Sequence, residues 1–127
     1  MGALGAVGAV AGGGAVGSLA RHGVNIVVAH MFGRPVPLAT AVVNIVGSGV
    51  IGLLAGLIAS GRMGMSVNTR TFVFVGLLGG FTTFSSFSLD TLTLIRAGSF
   101  GHAAWNVIGQ VGLSLLGAVI GFKLAAS

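Results

Sequence analysis

Between Gly79 and Ser88 the chain reads G-G-F-T-T-F-S-S-F-S, a stretch dense in groups that can handle an ion. Thr82, Thr83, Ser85, Ser86 and Ser88 supply hydroxyls, each a donor as well as an acceptor. Phe81, Phe84 and Phe87 recur every three residues, a spacing that lines their rings along one face of a helical segment. An aromatic ring has a positive edge, so rings presented edge-on stabilise a small anion without a charged side chain. The other reading of the three rings is core or lipid contact. The run lies inside the apolar segment from Val75 to Thr93, of membrane-spanning length. A helix tolerates interruption at the bilayer midplane only where protein or a solvated cavity satisfies the freed N–H and C=O groups. Gly79, Gly80 and the Thr/Ser cluster therefore read as an ion site.

Two further polar tracks accompany it. Thr40, Asn44 and Ser48 stand at i, i+4 and i+8 on one helix face, and Asn106, Gln110 and Ser114 do the same further on. Such groups also serve as interhelical glue. Asp90 is the only acid in the chain, so neither a carboxylate ring for cations nor an acid relay for protons can be built. What remains is a donor-rich lining able to replace the hydration shell of a small anion. Arg21 follows a long uncharged stretch. It either snorkels to the interface, faces a water-filled vestibule where it concentrates anions, or pairs with Asp90. His22, His30 and His102 show no metal-ligand spacing, and Trp105 fits an interfacial anchor.

The elements that must hold these groups follow from composition. The 127 residues are 54% hydrophobic and 6% charged, with a mean hydropathy of +1.08, which a soluble domain could not carry. We expect an all-α integral membrane protein, one domain over 1–127, with four transmembrane helices at about 3–29, 37–60, 70–96 and 101–125 and the third broken at midplane. The first connection holds His30, Gly33, Arg34, Pro35 and Pro37, and all three are short. The net charge of +5 is scattered, leaving no basic cluster for nucleic acid. The chain has no cysteine, and neither a leader peptide nor a lipid anchor is expected at its start. Arg62, Arg70 and Lys123 flank one membrane face and Arg34 and Arg96 the other, a near balance that specifies orientation weakly. So small a chain with so little bias is expected to insert both ways and pair as an antiparallel, dual-topology homodimer. Glycine pairs at i, i+4 (Gly8/Gly12, Gly13/Gly17, Gly52/Gly56, Gly76/Gly80 and Gly117/Gly121) allow close helix approach, within one chain or between two.

Three motifs together resemble the Fluc, or CrcB-type, fluoride channels: G-A-V-G-S-L-A-R from Gly14 to Arg21, A-T-x-x-x-N-x-x-G from Ala39 to Gly47, and G-L-L-G-G-F-T-T-F-S-S-F-S from Gly76 to Ser88. The last is the specific one, and the resemblance covers essentially the whole chain. It implies an antiparallel homodimer in a prokaryotic inner membrane, with two fluoride pathways that passively export the ion and prevent its toxicity. By motif, Phe84 and Phe87 would be the rings that coordinate fluoride and Asn44 would donate to it, with Thr83 and Ser85 beside the rings. Thr40 shares the second-span track, and Asn106, Gln110 and Ser114 align with the family's polar track. The resemblance also implies a structural sodium ion at the helix break, held by the backbone carbonyls of Gly79 and Thr82 from both subunits. Phe81 and Gln110 stand where the family more often has an aliphatic residue and a serine, and Asp90 where many members carry glutamate.

Two other readings compete. A small dual-topology drug or cation exporter shares the four-helix plan but needs a membrane-embedded acid, which the first span lacks. A non-conducting assembly subunit would use its glycines and hydroxyls only to bind neighbouring helices. An enzyme fits poorly, since no nucleophile–base pair or metal cluster appears in the sequence.

Overall fold

The computed structural model describes residues 2–33 and 37–127. Arg34 and Pro35, which the sequence reading places in the first connection, lie outside the described residues. Among those described, every regular element is helical, and four helices are long and apolar enough to cross a membrane: Ala3–Phe32, Leu38–Ala59, Val67–Arg96 and Phe100–Ala126. Helices α1 (Ala3–Phe32) and α2 (Leu38–Ala59) are continuous despite their glycines. In hydrocarbon the backbone has no partner but itself, so glycine does not unwind a helix there as it does in water. The described ends of the three connections each carry a glycine in the left-handed region: Gly33, Gly61 and Gly98.

The third span is assembled from pieces. Helix α3 (Val67–Arg70) begins at Ser66, whose hydroxyl accepts the Thr69 N–H at 3.2 Å, and passes into a π-helical stretch, Thr71–Leu78. A single turn, α4 (Gly79–Phe81), follows, and then Thr82 (φ −88°, ψ 156°) and Thr83 (φ −154°, ψ 120°) run extended before α5 (Phe84–Arg96). The fourth span is the continuous helix α6 (Phe100–Ala126). The π-helical stretch is not visible in the sequence pattern, because T-F-V-F-V-G-L-L carries no marker that separates π from α periodicity.

Packing divides the spans into two pairs, α2 against α6 and α1 against the upstream half of the third span. Both seams depend on backbone approaching backbone. A Cβ added at Gly17 would collide with the Leu77 carbonyl and one at Gly13 with that of Phe72, where the π turns face α1. Gly52 meets the Ala118 carbonyl, and Gly121 meets that of Gly49. The glycine pairs thus serve mainly contacts within this chain, while Gly8 faces open space. Helix α5 is held more loosely, mostly by α6. Of its side chains only Phe87 is buried.

Candidate functional site

The extended residues are held by α2. Thr83 donates its N–H to Asn44 Oδ1 at 2.8 Å, and Asn44 Nδ2 donates back to the Thr83 carbonyl at 3.0 Å, so one amide side chain replaces the helical partners that Thr83 has lost. Three residues along the same helix face stands Gly47, and the Thr82 Cγ2 methyl occupies the place a Cβ there would need. The spacing N-x-x-G is therefore the footprint of two neighbouring extended residues on one helix. Thr83 also starts α5, its hydroxyl accepting the Ser86 N–H at 3.2 Å in the manner of a helix cap and lying 3.2 Å from the Ser85 hydroxyl.

The interruption frees carbonyls at the end of α4. The Gly80 carbonyl accepts from Arg21 Nε at 3.1 Å, which places a cation at the negative end of the helical run. Arg21 thus lies mid-helix within α1, half-buried, and spends this contact on the backbone rather than on Asp90. Among the described residues, no hydrogen bond reaches the carbonyls of Gly79 or Thr82.

Beside the interruption opens a groove of about 400 Å³, and Asn44, Thr83, Phe84, Phe87, Gln110 and Ser114 all line it. The Phe84 and Phe87 rings lie 5.3 Å apart between centroids and are tilted by 58° to one another. Phe87 is 8% exposed, whereas Phe84 stands 75% exposed at the open side. The Ser114 Oγ is buried and has no hydrogen-bond partner among the described residues. Gly79, Thr82 and Ser48 also reach the groove.

Other candidates lie elsewhere. Asn106 stands behind Gln110, accepting from its Nε2 at 2.9 Å, and Ser85 is exposed outside the groove. Thr40 is buried in a second cavity of about 390 Å³, with Asn25, Ser86 and Asp90, so the α2 stripe divides between two cavities. The three phenylalanines do not form one row. Thr82 and Thr83 separate Phe81 from Phe84 and Phe87, and a period of three holds only within an unbroken helix. Ser48 was legible as part of the α2 stripe, whereas Asn25 is a lone polar residue in an apolar run and carried no signal. The Asn44 amide has both of its hydrogens engaged within the protein, one by Thr83 and one by Gln110.

Comparison with known proteins places this geometry in a family. The model of the CrcB-like proteins (Camphor Resistance, CrcB) matches residues 8–122. A protein of Opitutus terrae named fluoride-specific ion channel FluC is 49% identical over 113 residues, 88% of this chain and 86% of its own length. One of Nitrobacter hamburgensis, named FluC 2, is 45% identical over 112 residues, 88% of this chain and 90% of its own length. A more distant Roseiflexus relative with the same channel name is 38% identical over 117 residues, 92% of this chain and 94% of its own. The match takes in residues of all four membrane-spanning helices, and the chain belongs to the CrcB family.

Proposed function

We propose that this multi-pass membrane protein is a fluoride-selective channel that lets fluoride leave the cytoplasm passively and so prevents its toxicity. The observation that carries the reading is the groove in which two tilted phenylalanine rings meet hydroxyl and amide groups beside an interrupted helix, with no carboxylate in its wall. Relatives named as fluoride-specific channels support it. A small, strongly hydrated anion gives up its water only to many short-range donors, and ring edges with hydroxyls provide them without a fixed charge that would trap it. The start of α5 adds the positive end of a helix dipole on the same side.

The functional unit in this reading is an antiparallel, dual-topology homodimer in the inner membrane, its third helices broken at midplane. The exposure of Phe84 and the open side of the groove support it, since a second copy would close what one chain leaves open. The carbonyls of Gly79 and Thr82 fit a structural sodium ion. Among the described residues they accept no hydrogen bond, they lie at the end of a helical run, and two copies would bring four oxygens together. Bound there, sodium would take the freed carbonyl oxygens as ligands and join the subunits.

Replacing Phe84 or Phe87 by isoleucine tests the assignment. Each variant is expected to remain dimeric by size-exclusion chromatography yet lose about tenfold or more in fluoride flux, because an aliphatic group has no positive edge. Dimeric variants with undiminished flux would refute the role of the rings.

A further inference from the structure

Asn44 is the first link in a longer chain. Its Nδ2 donates to Gln110 Oε1 at 2.9 Å, Gln110 Nε2 donates to Asn106 Oδ1 at 2.9 Å, and Asn106 Nδ2 donates to Thr91 Oγ1 at 3.0 Å. The Thr91 hydroxyl in turn donates to the Phe87 carbonyl at 2.8 Å. Every link points the same way, so each group accepts from the one before and donates to the next, an arrangement in which hydrogen bonds polarise one another. The chain starts at the Thr83 backbone, passes through α2 and α6, and returns to α5 one turn beyond the interruption. Gln110, 4% exposed, is its turning point: its amide carries an acceptor and a donor on one planar end, taking a bond from α2 and giving one along α6.

We propose that Gln110 is a positioning residue for permeation. Through Asn106 and Thr91 it fixes the Phe87 ring relative to Thr83, across a break that leaves the two halves of the third span without continuous helical bonding. This rests on the channel reading given above. Within one copy helix α5 has few other restraints, since it packs loosely and exposes Phe84, Leu89 and Leu92, so this chain helps set the ring's place along the groove. It also gives Asn44 a structural role, because both of its amide hydrogens are committed.

Thr91 separates positioning from contact, since it bonds into the chain but does not line the groove. The experiment compares fluoride efflux from liposomes for wild type, Gln110→Leu, Thr91→Val, the double variant and Thr91→Ser, with chloride efflux alongside. Loss of one link is expected to slow fluoride about fivefold to tenfold and to narrow its margin over chloride. Thr91→Ser, which keeps the hydroxyl, should match wild type. The double variant should be no slower than the slower single one, because both cut the same chain. Wild-type rates in Thr91→Val would overturn the proposal, as would losses that multiply in the double variant. If Gln110→Leu does not assemble, the Thr91→Val and Thr91→Ser pair decides alone. A wild-type protein that passes no fluoride would instead remove the channel reading on which the proposal rests.

Discussion

At the scale of single residues, one amide carries unusual weight. Asn44 supplies both the donor and the acceptor for Thr83, and without it the part-buried Thr83 N–H would lose its partner. An orphaned buried backbone group costs about 1–3 kcal/mol. Asn44→Ala is therefore expected to lower unfolding stability in detergent micelles by about 2–4 kcal/mol, two backbone bonds and the link to Gln110 being lost together. A change below about 0.5 kcal/mol would show that Thr83 finds other partners. The motifs brought Asn44, Phe84 and Phe87 to one groove, but the donation to the ion expected of Asn44 is corrected by the structure, where Thr83 and Gln110 take both of its amide hydrogens. The place of Phe81 was not legible, and neither was the true place of Thr40. The period of three was read on one helical segment although a break was expected beside it, and the extended Thr82 and Thr83 fall within the row, while a second cavity takes Thr40.

At the scale of elements, glycine position matters more than glycine number. Gly17 lies against the Leu77 carbonyl and Gly8 against nothing, although both belong to i, i+4 glycine pairs of α1. Gly17→Ala should force α1 away from the third span and destabilise the fold by about 1–3 kcal/mol, while Gly8→Ala should stay within about 0.5 kcal/mol of wild type. Denaturant titration in micelles measures both, and equal effects would contradict the seam described here. Composition sufficed for four apolar helices because the bilayer dictates their length and hydropathy. It could not reveal the π-helical stretch, nor which glycine pairs meet their own chain, since both depend on which backbone lies opposite.

At the scale of the molecule, the account rests on two copies closing what one leaves open. Large apolar side chains are exposed along all four spans, a surface for lipid that a second subunit would share in the proposed dimer. If sodium joins the subunits at the Gly79 and Thr82 carbonyls, replacing it by a large organic cation should lower the temperature at which the dimer dissociates, by light scattering or chromatography after heating. An unchanged temperature would argue against sodium in that place. The most direct test of the central claim is fluoride efflux from liposomes holding the purified protein, read by a fluoride electrode after valinomycin sets a potassium-driven voltage, with a chloride-loaded control. The account requires fast fluoride release without chloride release. No fluoride release from protein shown to be dimeric, or release of both ions alike, would contradict it.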